Sequence, residues 1–179
     1  AKLKIYTEDN ETILLAKAIL KTRTRNLEFV KIPFACSSLI ELATKKVPTF
    51  NHSESIIILD GDVRTQPKEY DKITNRRLKN IILLPGNDSP ERLLAKYLFE
   101  LDEDNELWQK INKDYNKDFC FKDHKIEKIM ADREIAKAWF NAQLNIWQSL
   151  SKVVNEWMKE NKEACEEFIT KFEGILKSK

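Results

Sequence analysis

The sequence has few of the residues that build disulfide frameworks and zinc sites. It contains three cysteines and two histidines. Cys36, Cys120 and Cys165 are far apart and form no CxxC pair. A zinc knuckle or a set of disulfides is therefore not expected, and this cysteine usage fits a reducing cytosol. His52 and His124 are isolated from each other, and we expect both on the surface.

Long apolar runs and a strong excess of one charge are also missing. No window approaches the roughly 18 uninterrupted apolar residues that a membrane span needs. The first apolar run lacks the basic flank and the cleavage site of a signal peptide. A formal charge of +2 gives no bulk basic attraction to nucleic acid, although it leaves room for a local basic face. We expect a cytoplasmic protein without a membrane partner. Because the sequence enters a strand with no initiator methionine, we also expect a piece of a longer polypeptide.

Glycine and proline disappear from the second half of the chain. Beyond residue 102 there is a single Gly174 and no proline, yet all four tryptophans lie there. This change of composition predicts two domains, an α/β domain over residues 1–101 and an all-helical extension over residues 102–179 that packs on it. Apolar residues recur at helical spacing through the extension. Ile126, Ile129 and Met130 share this helical spacing, and we expect the aromatic residues of the extension in a core rather than on a base-stacking surface.

The first half alternates short aliphatic runs with amphipathic patterns. The aliphatic runs predict four strands, over residues 2–6, 27–32, 55–60 and 79–86. The amphipathic patterns predict helices near residues 11–22, 37–46 and 89–101, with Ser37 or Ser38 as the N-cap of the second and Pro90 at the first position of the third. Strands that alternate with helices favour an α/β fold with a mainly parallel four-stranded sheet flanked by helices. Such sheets bind ligands beyond the carboxyl ends of their strands.

Acidic residues follow three of these four strands. Glu8, Asp9 and Glu11 follow the first strand, Asp60 and Asp62 follow the third, and Asp88 and Glu91 follow the fourth. On an extended backbone, side chains two residues apart point the same way, so Asp60 and Asp62 are predicted to share one ion. Glu8 joins them if the first and third strands are neighbours.

Clustered carboxylates repel one another and raise each other's pKa values unless a cation neutralises them. Oxygen ligands without cysteine or clustered histidine select Mg²⁺, Mn²⁺ or Ca²⁺ rather than zinc. The alternative for Asp9, Glu11, Asp88 and Glu91, taken singly, is a helix-capping or first-turn role, in which they complement the helix dipole. That alternative is weaker for Asp60 and Asp62, because Gly61 between them indicates a close approach of backbone.

These motifs carry a family resemblance. Glu8 after the first strand, "DGD" after the third and "LPGNDSPERLL" after the fourth resemble the Toprim domain, in the version found in OLD-family (overcoming lysogenization defect) nucleases. The resemblance covers roughly residues 2–101. It implies a Toprim-like fold and a metal-dependent DNA endonuclease that hydrolyses phosphodiester bonds with two Mg²⁺ or Mn²⁺ ions. It further implies an ABC-type ATPase as a preceding domain or a subunit, oligomerisation through that ATPase, and a role in defence against phage.

The resemblance also assigns roles to individual residues. Glu8, Asp60 and Asp62 match the core catalytic metal ligands, while Glu11 and Glu91, with Asp88 beside them, match positions that serve a second metal. A catalytic lysine from the helical part is implied, and "DREIAKAWF" points to Lys137, with Lys125 as the second choice. The sequence departs from the family pattern at Asp9, where many Toprim domains have glycine.

Three other functions share this architecture. Primase or topoisomerase activity uses the same domain, but a topoisomerase needs a nucleophilic tyrosine for which the helical part offers no obvious candidate. A receiver-like signalling module also has acids after its first and third strands, but it needs a lysine at the end of a fifth strand, which the sequence does not indicate. An inactive binding module would bind no metal at all. No P-loop GxxxxGK[ST] is present, so this chain cannot bind ATP in that manner.

Overall fold

A computed structural model describes residues 2–50 and 55–179, and His52 lies outside the described residues. The sheet has four strands, which are β1 (Leu3–Thr7), β2 (Leu27–Lys31), β3 (Ser55–Leu59) and β4 (Ile81–Leu83). All neighbouring strands are parallel, in the order β2-β1-β3-β4. The predicted α/β class, with its four parallel strands and a helical C-terminal region, is confirmed.

Ten α-helices are formed by the described residues. They are α1 (Asn10–Leu20), α2 (Cys36–Thr44), α3 (Pro67–Asn75), α4 (Pro90–Glu100), α5 (Leu107–Ile111), α6 (Lys117–Cys120), α7 (Ile126–Ala131), α8 (Arg133–Trp147), α9 (Leu150–Glu160) and α10 (Lys162–Lys177). Three short 3₁₀ segments occur at Lys21–Thr24, Pro48–Phe50 and Gly61–Thr65. Within these described ranges, no helix has both the length and the apolar composition needed to cross a bilayer.

The chain forms two compact units. The first consists of the chain up to Ser89 together with the C-terminal segment Lys162–Lys179, and the second consists of Pro90–Asn161. This division differs from the domain boundary predicted between residues 101 and 102, which stays a prediction. Helix α10 belongs to the first unit because it packs against β4 and α1.

The core of the first unit follows from the alternation of side chains along buried parallel strands. On one face, Tyr6, Ile57 and Leu83 pack with Leu39 and Ile40 of α2. The other residues of the same strands point to the opposite face, where α1 and α10 contact β1 and β4. Every residue of β3 is buried, as its continuous aliphatic sequence requires.

The core of the second unit is aromatic. All four tryptophans are buried, as predicted, and the rings of Trp139 and Trp147 meet edge to face at 5.9 Å. The indole N–H of Trp139 donates to the Cys120 carbonyl at 3.0 Å, and that of Trp147 donates to the Tyr115 hydroxyl at 3.0 Å. Because these polar N–H groups are satisfied, the large apolar area of the indoles is buried without an unpaired donor.

Several local predictions are wrong. Helix α3 was not predicted, although Pro67 at its first position is a typical helix start. The ladder of β4 is limited to Ile81–Leu83 within the predicted run 79–86. The N-cap of α2 is Ala35 rather than Ser37 or Ser38, and it makes no side-chain hydrogen bond.

Candidate metal centre at the carboxyl edge of the sheet

The loop after β1 is held by its own side chains. Asp9 is the N-cap of α1, and its carboxylate accepts a hydrogen bond from the Thr12 N–H at 2.9 Å. The Thr7 hydroxyl donates to the Asp9 carbonyl at 3.2 Å. Glu8 lies between these anchored residues and is half-buried, while Glu11 is buried in the first turn of α1. Asp9 therefore has a capping role, and Glu8 is carried by the turn that Asp9 and Thr7 anchor.

The loop after β3 is a 3₁₀ turn rather than an extended segment. Asp60 is the N-cap of Gly61–Thr65, and its carboxylate accepts a hydrogen bond from the Asp62 N–H at 3.0 Å. Asp60 keeps an extended backbone but Asp62 lies inside the 3₁₀ turn, so the extended backbone expected for both residues is found only at Asp60. Extended structure ends where the turn begins, because the short Asp60 side chain satisfies a backbone donor of that turn. Asp60 is buried and Asp62 is half-buried.

The loops after β3 and β4 are locked together. A Cβ atom added to Gly61 would lie 2.2 Å from the Gly86 carbonyl oxygen and 2.9 Å from that of Leu84. The Arg64 Nη1 donates to these same two oxygens, at 2.5 Å and 2.6 Å respectively. Gly61 therefore allows a backbone approach that no other residue permits, and Arg64 holds it. The loop that carries Asp62 has little freedom to move away from β4.

The acids after β4 fall on the two sides of the unit boundary. Asp88 is half-buried, and its carboxylate accepts a hydrogen bond from the Ser89 N–H at 2.8 Å. Pro90 is the first residue of α4, as predicted, and Glu91 lies in the first turn of that helix, where it is 1% exposed. Glu91 therefore belongs to the second unit, whereas Asp88 belongs to the first.

The charges that act on the Cys36 thiol indicate which acidic residues of the first unit lie close together. Burial, followed by the charges of Glu8, Glu69 and Asp62, raises the pKa of this thiol to about 11. The thiol also contacts the Gln66 amide oxygen at 3.8 Å. Two predicted site residues, Glu8 and Asp62, therefore act on the same group. Sequence reasoning missed Cys36 and Glu69, because the first was judged only as a metal or disulfide cysteine and the second lies on the unpredicted helix α3.

The lysines proposed from the helical part belong to the second unit. Lys137 is half-buried on α8, and its carbonyl accepts a hydrogen bond from the Asn141 side chain at 2.9 Å. Lys125 is exposed and is the N-cap of α7. His124 is half-buried rather than fully exposed.

The side chains do not stand in the arrangement of a formed metal site. Over residues 2–50 and 55–179, no three or more histidine, cysteine, aspartate or glutamate side chains are grouped so that they could hold an ion. The chemistry of the donors does fit a hard cation, because Glu8, Asp60 and Asp62 offer carboxylate oxygens. An ion at this edge would therefore require these carboxylates to turn towards one another.

Comparison with known proteins adds no family assignment. No family model matches the chain, and neither a curated protein nor a solved structure matches it.

Proposed function

We propose that this chain is a metal-dependent DNA endonuclease, the Toprim-like nuclease part of an ATPase-coupled protein of the OLD type. The observation that carries the proposal is the pairing of β1 with β3. Tyr6 lies opposite Ile57 in this parallel register, so Glu8 and Asp60 follow neighbouring strands at the same edge of the sheet. Glu8 and Asp62 also act on one thiol, that of Cys36.

The proposed ligands are Glu8, Asp60 and Asp62, and the proposed cofactor is Mg²⁺ or Mn²⁺. A bound divalent ion would supply an activated water and neutralise charge on the phosphodiester. The chain's own part is to present carboxylates from two adjacent strands on anchored turns. Hydrolysis forms a bond between the water oxygen and phosphorus, breaks one phosphorus–oxygen ester bond, and leaves a proton on the departing sugar oxygen.

A second ion and a catalytic lysine complete the proposal. Glu11, Asp88 and Glu91 are proposed for the second ion, and Lys137 is proposed to stabilise negative charge that develops on the phosphate. Glu91 and Lys137 are included in this proposal only because of the family resemblance. The proposed partners are DNA and an ABC-type ATPase that gates cleavage, and the proposed role is defence against phage.

The test is cleavage of supercoiled plasmid by the purified chain in Mg²⁺ or Mn²⁺. Asp62→Asn should lower the cleavage rate by more than about 100-fold, because it removes a charged ligand from the ion. Asp71→Asn is the matched control, since Asp71 is exposed on α3 of the same unit and is not among the proposed ligands.

Metal binding provides a readout that does not depend on activity. Titration of Mn²⁺ followed by calorimetry should show binding to the wild type and to Asp71→Asn, and weaker binding to Glu8→Gln. A chain that binds no Mn²⁺ would instead support the inactive binding module. Wild-type cleavage by Asp62→Asn would remove this residue from the site.

A further inference from the structure

A cavity runs along the free side of β4, the outermost strand of the sheet. It has a volume of about 400 Å³ and is lined by β4 itself, by α3 and by α10. Helix α3 forms one wall with Tyr70, Ile73 and Thr74, and Arg64 also lines the cavity. Helix α10 forms the other wall, with the residues Ala164, Glu167, Phe168 and Lys171. All of these residues belong to the first unit. We call this cavity the edge groove.

The sequence of β4 is that of an internal strand, although β4 lies at an edge. Edge strands normally carry charged residues or proline, which discourage pairing with another chain. The opposite edge strand, β2, follows this rule with exposed Glu28 and Lys31. In contrast, β4 and the residue after it read Ile-Ile-Leu-Leu, and all four are buried. Nothing in the sequence of β4 protects its free side.

The hydrogen-bonding groups on that free side are those of Ile81 and Leu83. The Leu84 N–H donates to the Leu59 carbonyl at 2.8 Å, and the Ile57 N–H donates to the Asn80 carbonyl at 2.9 Å. Because successive residues of a strand direct their backbone groups to opposite sides, Ile81 and Leu83 direct theirs away from β3. The Ile81 N–H is used within its own turn, where it donates to the Leu78 carbonyl at 3.4 Å. The Ile81 carbonyl and both backbone groups of Leu83 therefore face the edge groove.

We propose that the edge groove binds an extended segment of a partner protein, which adds to the sheet as a fifth strand beside β4. Backbone donors and acceptors at strand spacing are the chemistry that an extended polypeptide recognises. The apolar residues of the two walls, Ile73 and Phe168, favour apolar side chains at the positions of the segment that face them. This inference is independent of the proposed nuclease activity.

Charge specifies one further residue of the partner segment. Glu167 and Lys171 of the groove form an ion pair with each other at 3.2 Å, whereas Arg64 donates to two neutral carbonyl oxygens. In the described part of the chain, no carboxylate forms an ion pair with it. An acidic side chain at the Arg64 end of the segment would complement this charge. The partner segment therefore contains apolar side chains and one acidic side chain.

A second copy of this chain does not fit the groove in the same way. The free side of β4 lies between the walls formed by α3 and α10, so two such edges cannot approach each other for strand pairing. A single extended segment can enter, because it carries no flanking helices of its own.

The test uses a random octapeptide library displayed on phage, selected against the folded chain. Ala164→Trp and Thr74→Trp each place a large ring in the groove from a different helix, so a folding failure of one leaves the other as a test. Thr170→Trp is the matched control, because Thr170 is exposed on α10 and is not a groove residue. Circular dichroism confirms that each variant is folded before selection.

The expected result is a set of peptides that bind the wild type and Thr170→Trp alike, and bind both groove variants at least tenfold more weakly. N-methylation of the peptide residues that face β4 should weaken binding by about tenfold, because it removes the backbone donors. Replacing the selected acid by asparagine should also weaken binding. Equal selection by the wild type and the folded groove variants would overturn the proposal, as would peptides whose binding is insensitive to N-methylation.

Discussion

The close approach at Gly61 gives a prediction that can be worked out from the structure. In Gly61→Ala the new methyl carbon would lie 2.2 Å from the Gly86 oxygen and 2.9 Å from the Leu84 oxygen. Both neighbours are backbone atoms, so no side-chain rotation can relieve the overlap. The loop after β3 must therefore move away from the loop after β4, because Cβ atoms essentially never lie within 3.0 Å of another atom of this kind.

That movement has two costs. Overpacking a tightly packed site typically costs about 1–3 kcal/mol. The same movement lengthens the bonds from Arg64 to the two carbonyl oxygens, and a hydrogen bond from a charged group contributes about 1.5–3 kcal/mol. With partial relaxation, we expect Gly61→Ala to lower the free energy of unfolding by about 2–4 kcal/mol.

Gly174→Ala is the matched control within the same unit. Its added methyl group would meet no atom within 4 Å, and Gly174 lies inside helix α10. Because alanine is the better helix former, this variant should be more stable than the wild type by about 0.5–1 kcal/mol.

The assay is urea unfolding followed by far-UV circular dichroism, together with amide hydrogen exchange of peptides from β3 and β4. Hydrogen exchange is needed because all four tryptophans lie in the second unit and fluorescence does not report on the sheet. If Gly61→Ala exchanged its β3 and β4 amides at wild-type rates and kept the wild-type urea midpoint, the argument from backbone overlap would be refuted.

Four further predictions concern single side chains. Tyr115→Phe removes the acceptor of the Trp147 indole N–H, and it should lower the stability of the second unit by about 1–3 kcal/mol in urea unfolding followed by tryptophan emission; an unchanged midpoint would contradict this. Cys36 has its pKa raised to about 11, so its alkylation by iodoacetamide should be slow at neutral pH and accelerate towards that pH. Glu69→Gln removes a negative charge that raises this pKa, so it should speed the alkylation of Cys36, and an unchanged rate would show that the Glu69 charge does not act on the thiol. Glu91→Gln should reduce cleavage at limiting Mg²⁺, with partial rescue by Mn²⁺, if the residue serves the second ion; a metal titration identical to that of the wild type would leave only a helix-dipole role of about 0.3–1 kcal/mol.

The positions of the acids relative to the strands could be predicted from the sequence, whereas their local geometry could not. Asp60 and Asp62 do follow a buried strand. Whether they point the same way depends on the backbone of residues 60–65, which a side-chain-to-backbone hydrogen bond turns into a 3₁₀ segment. A side chain that caps a turn competes with an extended backbone at the same residues. This competition does not change the pattern of apolar residues, so the pattern cannot predict its outcome.

The same holds for residues that approach the predicted ligands from distant parts of the chain. Cys36 and Glu69 come near Glu8 and Asp62 only because α2 and α3 follow β2 and β3 within the first unit. Neither residue belongs to a motif, so spacing alone could not select them. Helix α3 was missed because few of its nine residues are apolar and none of them is buried.

The elements that depend on short-range physical chemistry could be read from the amino-acid pattern. Continuous aliphatic runs specify strands buried on both faces, Pro90 starts α4, and the tryptophan-rich periodicity specifies a helical core. The tertiary structure alone decided the strand order, the return of α10 to the first unit, and the edge position of β4. These features depend on which apolar surfaces meet across long stretches of chain. Hydrophobic burial is non-directional and roughly proportional to area, so the pattern of one segment does not identify its partner.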